Sequence, residues 1–218
     1  MKKYAVIGLG NFGFHAARAL GGEGNEVIAI DIDRGKVQAV APYATEALVL
    51  DAMDKEALQS LGLEEMEAVV VSTGTSISVS VMICLYLGEL GVRRILAKAL
   101  DEDHEKILLR VGATEVVHPE RDMAVRVARG LTRPNLLDFI PLSTEFELVQ
   151  IEAPAQFVGK SLRELDLRAR YDAHVIAIRH VSDNGFMLIP PAGYTIGAED
   201  ILVVLGKSVD LRRANFLR

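Results

Sequence analysis

Apolar residues follow two rhythms along this chain. In its N-terminal part, short unbroken apolar runs recur: KKYAVIG (2–8), EVIAIDI (26–32), EALVLDA (46–52), EAVVVST (67–73), RRILAKAL (93–100) and EVVHP (115–119). Such runs read as strands buried on both faces, hence as parallel sheet. Between them lie stretches with helical spacing. In NFGFHAARALGG (11–22), Phe12, His15, Ala16 and Ala19 fall at helical spacing, and Gly21-Gly22 stops the helix. DRGKVQAV starts at Asp33, an expected N-cap, and stops before Pro42; DKEALQSL is closed by Gly62. SISVSVMICLYLGEL is longer, DEDHEKILLRV carries acids at its start and Arg110 near its end, and ERDMAVRVARGL follows. Strand–helix alternation with right-handed crossovers predicts an α/β fold, a doubly wound parallel sheet of Rossmann type.

The rhythm changes after GLTRPNLLDFIPLSTE. Pro134 and Pro141 bracket NLLDFI, which reads as a helix–turn linker whose apolar face needs a partner. FELVQIEAP alternates as a strand, apolar at Phe146, Leu148 and Ile151. GKSLRELDLRARY reads as one short amphipathic helix with Leu162, Leu165 and Leu167 inward and a capping box of Ser161 and Glu164. HVIAIRH, an SDNG hairpin turn, FMLIPP and DILVVLG complete a small α+β C-terminal domain. The expected division is a first domain over 1–134, a linker over 135–145 and a second domain over 146–218.

Composition narrows the function. The apolar stretch over 76–92 carries Ser, Gly and Glu and falls short of the roughly 20 apolar residues of a spanning helix. A strand opens the chain in place of a leader, so a soluble, cytoplasmic protein is expected. A net charge of −6 argues against a nucleic-acid partner. Cys84 is the only cysteine, which excludes an intrachain disulfide and a cysteine-built zinc site.

The first turn carries the clearest chemistry. Gly8, Gly10 and Gly13 form G-x-G-x-x-G between a strand and a helix. The spacing gives a tight turn, a close backbone approach to phosphate and close helix packing, with a pyrophosphate favoured at the helix start. Asp31, closing the second strand, is placed for ribose hydroxyls. The STGTS turn after the fourth strand either hydrogen-bonds a ligand or caps the next helix, and Lys98 either reaches a phosphate or snorkels from a strand end. Groups for turnover are missing: there is no Y-x-x-x-K, Walker A, G-x-S-x-G or metal-spaced histidine pair. His15 reads as packed or half-exposed, His104 and His180 as surface residues, and His118 as a strand end.

With these residues in hand, the chain resembles the KtrA/TrkA family of potassium-uptake regulators, built of an RCK N-terminal domain and an RCK-C domain. YAVIGLGNFG, EVIAIDID and AVVVSTGTS carry the resemblance together with the more specific VVHPERDMAVRVAR and GKSLRELDLRARY. It implies a cytoplasmic regulatory subunit, dimeric and assembled as an octameric ring, that gates a membrane potassium transporter of KtrB/TrkH type without turnover. It implies an adenine-nucleotide site at Gly8, Gly10, Asn11, Phe12, Gly13, Asp31, Ile32, Asp51, Ala52, Ser72, Thr73, Gly74 and Lys98. Family members often carry Arg where this chain has Asn11, which leaves both ATP/ADP and NAD(H) as ligands. Glu120 either decorates a helix start or, by the resemblance, helps hold Mg²⁺ or Ca²⁺. Leu162, Arg163, Arg168 and Pro191 fall near the positions that bind cyclic di-AMP in several members, while Arg168 and Arg170 equally suit a solvated turn. The competing classes are a small NAD(P)-dependent oxidoreductase and a nucleotide- or redox-sensing transcriptional regulator, the latter disfavoured by the acidic charge.

Overall fold

A computed structural model describes residues 1–73, 76–133, 135–180 and 185–213. The chain divides into two compact units, Met1–Asp122 and Met123–Arg218. In the first, β1 (Lys3–Ile7), β2 (Glu26–Asp31), β3 (Glu46–Val49), β4 (Ala68–Val71), β5 (Ile95–Lys98) and β6 (Glu115–Val117) alternate with α1 (Asn11–Gly22), α2 (Arg34–Val40), α3 (Lys55–Gln59), α4 (Ile77–Glu89) and α5 (Glu102–Val111). All six strands are parallel, in the order β3-β2-β1-β4-β5-β6. The chain reverses its direction of travel across the sheet between β1 and β4. The crevice beyond their carboxyl ends is the natural ligand position in such a sheet.

Apolar clusters cover both faces. Ile7, Val69, Val71 and Ile95 pack with Leu58, Ile83, Leu87 and Leu108 on one side. Val6, Val27 and Ala29 pack with Ala17, Val37 and Val40 on the other. The residues of α1 that are fully buried are Gly13 and Ala17, whereas His15 and Ala19, two of the residues at helical spacing, are exposed. The reason is distance: the helix lies so close to the glycine turn that only its smallest residues fit underneath. Cys84 is buried in α4, and burial pushes its thiol pKa up to about 12.

The division between the units falls within α6 (Pro119–Thr132). The second unit adds β7 (Leu136–Pro141), β8 (Phe146–Glu152), α7 (Leu162–Leu165), α8 (Leu167–Tyr171), β9 (His174–His180), β10 (Phe186–Leu188), β11 (Asp200–Lys207) and α9 (Ser208–Arg213). Its strands form an antiparallel sheet in the order β10-β9-β11-β8-β7. NLLDFI is therefore not a helix–turn linker: its Leu136–Ile140 portion belongs to an edge strand that pairs with β8 and ends at Pro141. An edge strand tolerates a terminal proline because one side of its backbone needs no partner. Within this unit, Arg126 donates to both carboxylate oxygens of Asp138 at 2.7 Å, and Arg129 lies 4.4 Å above the Phe139 ring.

Two further expectations change. The buried face of β8 is Glu147, Val149 and Ile151, while Phe146 is exposed, because pairing with β7 and β11 sets the register. GKSLRELDLRARY forms two short helices, broken at Asp166 (φ 43°), although Leu165 and Leu167 are buried and the Ser161–Glu164 capping box is formed. The SDNG turn lies largely outside the described residues, since 182–184 are not among them.

Candidate functional site

The glycine turn joins β1 to α1 at the crevice. Gly8 has φ 90°, a conformation costly for any side-chain-bearing residue, and a Cβ there would come within 2.2 Å of the Ser72 carbonyl oxygen. That contact brings the ends of β1 and β4 together. Beneath the turn, a Cβ on Gly13 would lie 1.9 Å from the Gly8 carbonyl oxygen. Gly10 differs: a Cβ there would meet nothing within 4 Å and would project into open space. Gly10 is also the N-cap of α1 and supplies no capping side chain, so the first amides of a twelve-residue helix remain available to an anion.

Asp31 ends β2 and is almost fully buried, at 8% exposure. One carboxylate oxygen accepts from the Leu9 amide at 2.7 Å and lies 3.4 Å from the Lys36 ammonium; the other accepts from the Asp33 amide at 2.8 Å. Asp31 thus fixes the glycine turn as well as facing the crevice. Asp33 caps α2, accepting from Gly35 and Lys36.

These groups border a cavity of about 220 Å³. Gly8, Gly10, Asp31, Ile32, Asp51, Ala52, Ser72 and Thr73 from the expected set line it. Its apolar wall, Leu50, Val79 and Ile83, and the Lys36 cation are additions that the motif does not specify. Lys36 had one readable signal, its place in the first turn of the helix after Asp31. The Thr73 hydroxyl oxygen is buried and has no hydrogen-bond partner. An open glycine, a buried acid, an apolar wall and an orphaned hydroxyl together fit a nucleotide.

The remaining expected residues stand elsewhere or outside the description. Asn11 is exposed at the first position of α1, Phe12 packs with the second apolar cluster, and Gly13 is the packing contact beneath the turn. Gly74 lies outside the described residues. Lys98 donates to Glu120 at 2.5 Å, and that contact holds the Glu120 carboxyl below its ordinary pKa. Glu120 therefore already faces a cation of this chain. No group of three or more His, Cys, Asp or Glu suited to a metal occurs among the described residues.

In the second unit, Leu162 and Arg163 donate backbone hydrogen bonds to Tyr194 and Ala192, at 3.0 and 2.8 Å, which brings them to the turn holding Pro191. Arg163, Arg168 and Pro191 are exposed, and Arg168 lies on α8, beyond the break at Asp166.

Two histidines read as surface residues, His104 and His180, depart most from expectation. His104 is 2% exposed, and His180 is tied to the buried Asp200 at 2.8 Å. His118, also buried, meets Glu105 at 2.7 Å. The acidic run DEDHE makes position 104 look like surface, but His104, Leu108 and Val111 share one face of α5, the signal that could have placed it inside.

Comparison with known proteins finds matches over nearly the whole chain. Residues 4–119 match the TrkA-N domain and residues 146–215 the TrkA-C domain. The chain is 42% identical over 212 residues to Ktr system potassium uptake protein C of Bacillus subtilis, covering 97% of this chain and 95% of that protein. The chain belongs to the KtrA/TrkA family. Ktr system potassium uptake protein A of B. subtilis is 39% identical over the same shares of the two chains. Among solved structures, the GsuK RCK domain superposes with a TM-score of 0.68 at 16% identity, and the GsuK channel bound to NAD with 0.67 at 16%. Each covers 99% of this chain, which spans 47% and 39% of their lengths, so they establish the shared fold. No helix among the described residues of this family member is long and apolar enough to cross a membrane.

Proposed function

We propose that this KtrA/TrkA family member is a cytoplasmic, nucleotide-responsive regulatory subunit of a membrane potassium transporter of KtrB/TrkH type. It works as a homo-oligomer, a dimer assembled further into an octameric ring. The observation that carries the reading is the crevice at the glycine turn, where Gly10 leaves open space beside free helix amides for a phosphate and Asp31 lines the cavity where it would accept from ribose hydroxyls. The apolar wall of Leu50, Val79 and Ile83 suits the adenine base. Relatives named for potassium uptake, matched over almost their whole length, support the transport role. The exposed Met123, Val127 and Leu131 on α6 support self-association.

The ligand acts as an effector and is not consumed. Its binding energy shifts the ring between conformations only insofar as it differs between them. The protein's part is to orient phosphate with backbone amides and ribose with Asp31. Glu120 pairs with Lys98 within this chain, so a Mg²⁺ or Ca²⁺ ion held there with the nucleotide phosphates would have to displace that ammonium. Mass spectrometry of nucleotide retained by the native protein tests the reading, paired with calorimetric titration of ATP, ADP, NADH and cyclic di-AMP. Retained or micromolar adenine nucleotide with no substrate turnover is expected. Absence of binding, steady turnover of NADH, or a stable monomer by light scattering with and without nucleotide would overturn it.

A further inference from the structure

Behind the cavity wall, on the α5 side of α4, stands a buried polar chain that the nucleotide site does not use. Nδ1 of His104 accepts from the Leu100 amide at 3.2 Å, and Nε2 lies 2.9 Å from the Ser80 hydroxyl oxygen. Ser80 in turn donates toward the carbonyl oxygens of Ile77 and Ser76, at 3.0 and 3.2 Å. Because Nδ1 accepts from an amide, the proton of the neutral ring sits on Nε2 and is donated to Ser80. One imidazole therefore joins the end of the β5 segment and the start of α5 to the first turn of α4. That same turn presents Val79 to the cavity, and Ile83 follows one turn later.

We infer that His104 is a positioning residue for the nucleotide site: in its neutral form it holds the first turn of α4 against the cavity through Ser80, and its protonation releases that turn and weakens nucleotide binding. The inference rests on the nucleotide reading above. A proton added at Nδ1 would point at the Leu100 N–H, so the charged ring cannot keep both of its present bonds. The surroundings do not favour the charge. Asp101, whose carboxylate accepts from the His104 amide at 2.8 Å, is the attractive group; His118, facing from the β6 end with Glu105 beyond it, opposes protonation, and Cys84 on the neighbouring turn of α4 is neutral. Burial lowers the His104 pKa below its ordinary value, so the release falls on the acid side of neutrality.

The test is ADP affinity of the full chain by calorimetry between pH 8 and pH 5, for the wild type, His104→Gln and Ser80→Ala. Ionisation of ADP itself is common to all three and cancels in the comparison. The wild type should lose at least threefold more affinity over this range than His104→Gln, whose amide stays neutral. Ser80→Ala, which keeps the histidine but cuts its link, should bind several-fold more weakly at pH 8 and show the flatter profile of His104→Gln. Backbone hydrogen exchange over 77–84 should accelerate at pH 5 relative to its intrinsic rate in the wild type and not in Ser80→Ala. Parallel affinity profiles in the wild type and Ser80→Ala, which carries the test if His104→Gln fails to fold, would overturn the inference. No ADP binding by the wild type at pH 8 would instead overturn the nucleotide reading on which it stands.

Discussion

Asp31 in the first unit and Asp200 in the second are buried carboxylates of similar exposure, 8% and 5%. Asp31 is held mainly by backbone amides, those of Leu9 and Asp33, and borders the cavity at the glycine turn. Asp200 is gripped chiefly by side chains: His180 at 2.8 Å on one oxygen, and Tyr194 at 2.7 Å with the Gly197 amide at 2.8 Å on the other. Amides bracing an acid from behind leave its front for a ligand. Side chains that converge on an acid from β9 and from the 194–197 turn tie those segments to β11. A buried carboxylate thus marks a candidate site in one unit and a lock in the other, and the direction from which its partners come distinguishes the two.

The largest expected effect separates packing from binding within the glycine turn. Gly13→Ala forces a methyl against the Gly8 carbonyl and should cost the first unit about 3 kcal/mol in denaturant unfolding. If Gly13→Ala unfolds like the wild type, the close approach of α1 is not what holds the turn. Next comes the lock. Asp200→Ala should destabilise the second unit by about 2 kcal/mol by stranding its partners, while ADP binding in the first unit is unchanged. Burial first, and Asp200 second, push the Tyr194 phenol up to about 12. Removing the carboxylate should lower that value toward the ordinary tyrosine range, read by ultraviolet absorbance in alkaline solution. A loss of ADP affinity in the folded variant would erase the distinction between lock and site.

Smaller effects sharpen the site side of the comparison. Gly10→Val projects into open space, so unfolding should change by no more than about 1 kcal/mol, the cost of a poorer N-cap, while ADP affinity falls about tenfold, or 1.4 kcal/mol. Unchanged affinity would remove phosphate from the turn. Asn11→Arg, at the exposed first position of α1, should favour ATP over ADP by about 1 kcal/mol through a charge-assisted contact. Equal gains for both nucleotides would show that position 11 does not face the terminal phosphate.

The parallel sheet was legible because its central strands are buried on both faces and the strands leave continuous apolar runs, each punctuated by glycine, proline or an acid cap. The glycine spacing likewise announced a tight turn, and Asp31 stood at its expected strand end. Other features are set by contacts between distant residues. Edge strand β7 became visible only through pairing with β8, which also reversed the inward face at Phe146. His104 sits among acids that suggest a surface position, but its helical register with Leu108 turns it inward. Lys36 and the apolar wall come from separate elements that only the folded sheet brings to one cavity. Asp31 was assigned one task by its position, yet it also holds the Leu9 amide, so replacing it tests stability and binding together.

The single cysteine carries a practical consequence. Cys84 is buried in the core of the first unit, and its thiol stays protonated far above neutral pH. Thiolates attack maleimide and thiosulfonate spin-label reagents, and a buried thiol held protonated does not, so the native sequence is already a silent background for labelling. A cysteine introduced on the surface of either unit can carry a fluorophore without first removing Cys84, and one label on each makes the separation of the units a measurable distance.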